Sequence, residues 1–196
     1  MIRAGFSFEH PVSGTRTVVL ESDAETGGLG WLVEVTRVTS EGPDLAEHLH
    51  ESWTEIFEIV SGTARYRIAG VEQTARAGQS FVVPPGQMHV HPWNADGERL
   101  VYRQRTRFAE PNPAAVQEIL GLFATRAGML RDGLEPTSRF GQMLQSAVIL
   151  RTAIRHGNYM AEPSIPKQKS IAATLGVLGA TLGYRTVHAK YVGDEP

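Results

Sequence analysis

Cysteine is absent from all 196 residues of the sequence, and this absence excludes three kinds of chemistry. A chain without thiols forms no disulfide, offers no thiolate to a metal ion and has no cysteine nucleophile. Such a composition suits a reducing compartment, and we therefore expect a cytoplasmic protein. The N-terminal segment MIRAGFSFEHPVSG also lacks the long apolar run of a secretory signal, so we expect no signal peptide.

Strong charge of one sign and long hydrophobic runs are missing as well. The formal net charge is only −2, which gives no basic field to attract nucleic acid or an anionic membrane. The charge-free stretch IAATLGVLGATLGY, at 171–184, is shorter than the roughly 20 residues that span a bilayer. We expect no nucleic-acid partner and no membrane partner. We interpret this stretch as a helix packed in the core or in a dimer interface, with association at a membrane surface as the alternative.

Motifs for phosphate binding and for nucleophilic catalysis are missing too. The segment GGLG, at 27–30, lacks the G-x-G-x-x-G spacing and the lysine of a phosphate-binding loop. No G-x-S-x-G segment occurs either. The sequence therefore gives no indication of nucleotide binding through such a loop or of a serine nucleophile of this type.

Histidine is scarce, with seven in the chain, yet two of them stand one residue apart in EHLHESWTE, at 47–55. In an extended segment His48 and His50 point to the same face, where two imidazoles can bind one metal ion. Glu55 would point the other way on an unbroken strand, so we expect the chain to bend between Glu51 and Trp53. The alternative for the histidine pair is a polar stripe on an exposed strand.

A longer pattern surrounds these residues. It is G42-x5-H48-x-H50-x4-E55-x6-G62, and after fifteen residues G78-x5-P84-x-G86-x2-H89 follows. In order and spacing the two segments resemble the two motifs of the cupin superfamily. The second motif usually continues to an asparagine at the position of Trp93, whereas here the asparagine is Asn94. The resemblance implies a jelly-roll barrel that binds one divalent transition-metal ion per chain, of Fe, Mn, Ni or Zn, through the ligands His48, His50, Glu55 and His89.

The character of the sequence changes near residue 108. Up to that point, short β-rich runs alternate with glycine, proline, serine and aspartate clusters, which is typical of an antiparallel barrel or jelly roll. Beyond it, helical spacing occurs from Asn112 to Gly128, from Thr137 to His156 and from Lys167 to Gly183. We predict a mostly β fold, with a cupin-type double-stranded β-helix at 1–108 and an α-helical C-terminal extension at 109–196.

Residues near the predicted ligands could line a substrate pocket. His91 follows His89 by two positions and would share its face as a candidate acid or base, unless it lies half exposed at a strand end. The run from Tyr102 to Arg107 alternates, with Tyr102 and Gln104 on one face and three arginines on the other. We expect the arginines in solvent, and the phenol and the amide in the pocket. The candidate catalytic groups are therefore His91 and Tyr102.

Together these features predict a metal-dependent enzyme that acts on a small organic molecule. Cupins catalyse several reaction types, and we favour dioxygenase chemistry, which is an oxidoreductase reaction, slightly over isomerase, cyclase or lyase chemistry. The alternative is a non-catalytic cupin that binds or senses a small molecule.

We also predict a homodimer, since exposed strand edges and a glycine-rich apolar helix would otherwise be left bare. At least one C-terminal helix should cover the barrel mouth near the metal. Helices on the outer sheet would instead serve stability or dimerisation.

Overall fold

A computed structural model of the chain describes residues 1–38 and 42–193. Two antiparallel sheets pack face to face within this part of the chain, one of six strands and one of five. In chain order the strands are β1 (Ser7–Glu9), β2 (Arg16–Glu21), β3 (Gly30–Arg37), β4 (His48–His50), β5 (Trp53–Ser61), β6 (Thr63–Ile68), β7 (Val71–Arg76), β8 (Ser80–Val83), β9 (His89–Asn94), β10 (Leu100–Phe108) and β11 (Asn158–Met160).

The strand order places the core between the two sheets. The larger sheet runs β1-β2-β3-β10-β5-β8 and the smaller runs β11-β4-β9-β6-β7. Alternate residues of the long strands point inward, as in β5, where Trp53, Phe57 and Ile59 are buried. The predicted fold class, a mostly β jelly-roll barrel followed by a C-terminal α-helical extension, is confirmed.

The helices are α1 (Asp23–Thr26), α2 (Pro113–Arg131), α3 (Arg139–Arg155), α4 (Ile165–Ala173) and α5 (Leu175–Thr181), with a short 3-10 helix at Ala189–Tyr191. The prediction of one helix from Lys167 to Gly183 was wrong, because the chain breaks at Thr174 into α4 and α5. No proline stands at the break, so the sequence carries no local signal for it. None of the helices within the described residues is long and apolar enough to cross a membrane.

Glycines let α5 pack closely on α3. This agrees with the interpretation of the charge-free stretch at 171–184 as a packed helical segment. A Cβ added at Gly176 would lie 2.8 Å from the carbonyl oxygen of Ala147. One added at Gly179 would lie 2.7 Å from Cγ2 of Val148. Any side chain at either position would therefore force the two helices apart.

The first helix of the extension begins at a cap and lies against the barrel. The Asn112 side chain accepts a hydrogen bond from the amide of Ala115 over 3.0 Å, and Pro113 occupies the first turn. The helix packs on β1 and β3 of the larger sheet through a buried face that includes Val116 and Leu120.

One strand of the extension belongs to the sheet of the barrel. β11 pairs antiparallel with β4, and Asn158 and Met160 lie opposite His50 and His48. The extension therefore forms one edge of the sheet that carries the histidine pair.

Candidate metal centre

A bend between two short strands brings the first three predicted ligands together. β4 ends at His50 and β5 begins at Trp53, and this confirms the expected bend between Glu51 and Trp53. The bend turns Glu55 into the barrel beside the two histidines, where Glu55, His48 and His50 are no more than 2% exposed.

The neighbouring strand β9 supplies two further imidazoles. It pairs with β4 so that His89 lies opposite His48, and His89 is fully buried. The side chain of His91 is 15% exposed and faces the same interior. His91 therefore shares the inward face of His89 and contacts the predicted ligands, and it does not lie half exposed at a strand end.

The donor atoms of these residues converge on one point. The Oε2 atom of Glu55 lies 3.2 Å from Nε2 of His50, 3.2 Å from Nε2 of His89 and 3.1 Å from Nε2 of His91. Ring nitrogens of His48, His50, His89 and His91 all lie within 4.8 Å of one another. Two neighbouring ligands of an octahedral ion with bonds of about 2.1 Å are about 3 Å apart, so the spacing suits a common ion.

Backbone carbonyls fix the orientation of two of the rings. Nδ1 of His48 lies 2.9 Å from the carbonyl oxygen of Ala46, and Nδ1 of His89 lies 2.9 Å from that of Gln87. A carbonyl oxygen only accepts hydrogen bonds, so in both rings Nδ1 carries a hydrogen and Nε2 is the nitrogen available to a metal ion. This is the arrangement that metal-binding histidines use.

Buried nitrogens in the cluster lack hydrogen bonds. Neither nitrogen of His50 has a hydrogen-bond partner among the described residues, and Nε2 of His89 has none there either. Each unsatisfied buried nitrogen costs about 1–3 kcal/mol, a loss that a bound cation would offset. The residues present therefore fit a divalent transition-metal ion.

Burial and contact between the groups set their charges. Burial lowers the pKa of His48 well below its usual range, and the neighbouring His91 and His89 lower it further. Burial also lowers the pKa of His91, against the opposing effect of Glu55. Burial alone would raise the pKa of Glu55, but the facing imidazoles of His91 and His50 hold it well below its usual range. The directions of these shifts favour a neutral His48 imidazole and an ionised Glu55 carboxylate, the forms that bind a metal ion.

Gln104 has a function that the sequence did not reveal. Its inward position on β10 was predicted and is confirmed, but its amide donates a hydrogen bond to Oε1 of Glu55 over 2.8 Å. The indole of Trp53 donates to the same oxygen over 3.4 Å. These bonds leave Oε2 of Glu55 to face the histidines. The strand register that brings Gln104 to Glu55 is a long-range property with no local sequence signal.

Tyr102 and the arginines of β10 lie on the faces that the alternation predicted. Tyr102 is 4% exposed and lines the interior. Burial raises the pKa of the Tyr102 phenol, so the phenol keeps its proton at neutral pH. On the outer face Arg103 pairs with Glu34 over 3.2 Å and Arg105 with Glu21 over 2.7 Å.

The asparagine after the second motif supports a turn. Asn94 is 2% exposed, and its Oδ1 accepts a hydrogen bond from the amide of Gly97 over 2.9 Å. Its amide group donates to the carbonyl oxygen of Glu98. Despite its shifted position, the residue holds the turn that leads from β9 to β10.

A cavity of about 140 Å³ adjoins the histidine cluster. Its walls are mainly apolar, and α2 contributes Ile119, Leu120 and Phe123 to them. The expectation that a C-terminal helix covers the barrel mouth is therefore confirmed for α2, whereas no residue of α3 lines this cavity. The remaining lining residues are Phe8, Thr15, Thr17, Trp31, Val33, Val35, Arg37, Asp44, Leu45, His48, His50, Trp53, Glu55, His91, Pro92, Tyr102, Gln104 and Asn158.

Comparison with known protein families gives a match for part of the chain. Residues 35–102 match the sequence model of a family described as the cupin domain. No curated protein sequence matches the chain.

Several solved structures are similar to part of the chain. A predicted oxalate decarboxylase from Thermotoga maritima is 18% identical, with a TM-score of 0.43, and the match covers 48% of this chain and 80% of that one. KdgF from a Halomonas species is 18% identical, with a TM-score of 0.42 and coverages of 51% and 86%. A cupin-superfamily sugar phosphate isomerase from Silicibacter pomeroyi is 13% identical, with a TM-score of 0.45 and coverages of 52% and 70%.

Proposed function

Because this chain belongs to the cupin superfamily through the domain at residues 35–102, we propose that it is a metal-dependent enzyme acting on a small organic molecule. The observation that carries the proposal is the position of Oε2 of Glu55, within 3.2 Å of Nε2 atoms of three histidines. The site is buried and lies beside an apolar cavity, as expected of a small-molecule site.

The proposed ligands are His48, His50, Glu55 and His89, holding one divalent ion of Fe, Mn, Ni or Zn. Such an ion supplies Lewis acidity toward a carbonyl or enolate oxygen and, if it is iron, redox chemistry toward dioxygen. Four protein ligands leave about two positions of an octahedral shell for other molecules.

Other residues of the site would prepare the substrate for reaction. Gln104 holds the carboxylate of Glu55 in place through its 2.8 Å hydrogen bond. Tyr102 keeps its phenolic proton and can donate it in a hydrogen bond to a substrate oxygen. His91, whose Nε2 lies 3.1 Å from Glu55, can hold or move a proton at that nitrogen. The apolar walls, including Phe123 of α2, exclude water from the reacting atoms.

Dioxygenase chemistry is our preferred reaction, ahead of isomerase, cyclase or lyase chemistry. Two features support it: a ligand set that would leave about two positions, one for a substrate oxygen and one for dioxygen, and a mainly apolar cavity beside the cluster. We further propose that the enzyme works as a homodimer in the cytoplasm, a compartment that suits a chain without cysteine.

Metal analysis followed by oxygen measurement tests this function. Protein purified without chelators or nickel resin should contain about one equivalent of a transition metal. The variant His89→Ala should lose most of it, whereas His188→Ala, outside the cluster, should retain it. A panel of substrates with a metal-binding oxygen should then be screened for consumption of dioxygen. Turnover that proceeds equally without oxygen would favour the isomerase, cyclase or lyase reactions, and equal metal content in both variants would overturn the proposed ligand set.

A further inference from the structure

The cavity beside the metal centre has two unlike ends. One wall is strand β3, whose inward residues are Trp31, Val33, Val35 and Arg37 in that order. Val33 lies opposite Gln104 on β10, next to the ligand cluster. Arg37 lies two inward positions further, about 13 Å along the strand. The wall therefore runs from the metal end, past apolar side chains, to a charged end.

The charged end is a compact cluster formed by Thr15, Arg37 and Asp44. The guanidinium of Arg37 donates hydrogen bonds to Oδ2 of Asp44 over 2.5 Å and to the carbonyl oxygen of Gly42 over 2.8 Å. The hydroxyl of Thr15 donates to the same oxygen of Asp44 over 2.7 Å. The Arg37 side chain is 3% exposed, whereas that of Asp44 is 32% exposed, so the cluster stands where the cavity approaches solvent.

The charges in this cluster compensate each other. A carboxylate on a ligand would meet Asp44, and an ammonium group would meet Arg37, so either would leave one charge unpaired in a largely buried place. A neutral group that both donates and accepts hydrogen bonds, such as a hydroxyl or a carboxamide, suits a cluster that offers donors and acceptors side by side.

The middle of the cavity limits the size and polarity of its occupant. The volume of about 140 Å³ is close to that of cavities that admit one benzene ring. Its walls carry the aromatic side chains of Phe8, Trp31, Trp53 and Phe123, which suit contact with a flat apolar ring.

Building on the proposed function, we propose that the substrate is a single-ring molecule bound at both ends. Oxygen atoms at one end bind the metal held by the histidine cluster. A neutral hydrogen-bonding group at the other end binds Thr15, Arg37 and Asp44. These three residues then determine specificity at the end of the cavity opposite the metal.

Calorimetric titration of the zinc-loaded protein with a matched set of catechols tests this inference. Catechol supplies two metal-binding oxygens on one ring, and zinc avoids oxidation of the probe. The probes differ in the group at position 4, which is hydroxyethyl, propyl, carboxymethyl or aminoethyl. We expect the hydroxyethyl probe to bind about tenfold more tightly than the propyl probe of the same length, and more tightly than both charged probes.

Two variants link this preference to the cluster. Thr15→Val should reduce the ratio of hydroxyethyl to propyl affinity severalfold, whereas Thr63→Val, on β6 outside the cavity, should leave it unchanged. Asp44→Asn removes the carboxylate that pairs with Arg37 and should shift the preference toward the carboxymethyl probe. If the cluster had only a structural role, folded variants would keep the parent's preference for the hydroxyethyl probe over the propyl and carboxymethyl probes.

The possible failures are distinguishable. Zinc-dependent binding of all four probes with equal affinity would overturn this inference and leave the metal-dependent function standing. An unchanged preference in both Thr15→Val and Asp44→Asn would also overturn it. No binding of any probe, or equal binding with and without zinc, would likewise overturn this inference alone, whereas failure of the protein to take up zinc would contradict the metal-dependent function as well.

Discussion

Gln104 donates a hydrogen bond to Oε1 of Glu55 over 2.8 Å, across neighbouring strands of the larger sheet. The other oxygen of Glu55 is thereby left facing the imidazoles of His50, His89 and His91. A partner of this kind fixes the orientation of a metal ligand without touching the metal.

Loss of the Gln104 side-chain amide should weaken metal binding. We expect Gln104→Leu to reduce zinc affinity by about 10–100-fold, because the carboxylate of Glu55 would be free to rotate. Competition with a chromophoric chelator measures the affinity. Gln142→Leu, on the exposed face of α3, is the matched control and should bind zinc normally. Unchanged affinity in Gln104→Leu would mean that Glu55 is held by other contacts.

Metal binding should stabilise the folded protein. Zinc at about 100 times its dissociation constant should raise the free energy of unfolding by about 2.7 kcal/mol, because the buried site exists only in the folded chain. Differential scanning calorimetry with added zinc, and then with excess chelator, shows the gain and its reversal. Glu55→Ala should show little gain. An equal gain in that variant would place the stabilising zinc elsewhere.

The side chain of Phe123 should contribute to substrate binding and not to metal binding. It reaches the cavity from α2, and its removal would admit water and enlarge the space around the ligand. We expect Phe123→Ala to weaken binding of the catechol probes about tenfold at unchanged zinc content. Leu122→Ala, on the same helix but outside this cavity, should leave probe binding unaffected. Loss of zinc from Phe123→Ala would show that α2 supports the ligands themselves.

The C-terminal segment should loosen in acid. The pKa of Asp132 lies well below its usual value of 3.8, held there by hydrogen bonds from Arg131, Lys190 and Tyr191. A carboxylate with a lowered folded-state pKa contributes stability that is present above about pH 4 and is lost as the pH falls below it. Urea unfolding should therefore show Asp132→Asn less stable than the parent at pH 7. The difference should shrink toward pH 3, and a constant difference would contradict the assignment.

Apolar side chains that remain exposed on α3 and α5 offer a surface for a homodimer. Phe140 and Met143 of α3 and Val177 and Leu178 of α5 are between 42% and 55% exposed, on helices that pack against each other. A second copy of the chain would cover them. Light scattering should give about twice 21.4 kDa, and the double variant Phe140→Ser/Leu178→Ser should give a monomer. A monomeric parent at micromolar concentration would overturn the dimer.

The sequence predicted those parts of the site that depend on local spacing. The alternation of extended chain places His48 with His50 and His89 with His91, and the bend between Glu51 and Trp53 follows from the position of Glu55. The contact between Gln104 and Glu55 depends instead on the register between β5 and β10. No local pattern encodes such a register.

Other elements of the fold carry no local signal in the sequence. In β7, Ala75 is the only buried residue, so the strand lacks the apolar alternation by which strands are recognised. β11 contains only three residues, and its pairing with β4 is a contact between distant parts of the sequence. The break at Thr174 precedes α5, which packs closely on α3 at Gly179, and such packing is a tertiary contact.

Crystallographic anomalous scattering at the absorption edge of the bound metal tests the central claim most directly. We predict one peak per chain, about 2.0–2.3 Å from Nε2 of His48, His50 and His89 and from a carboxylate oxygen of Glu55. A peak at another place in the chain, or a shell in which His91 replaces Glu55, would contradict the proposed centre.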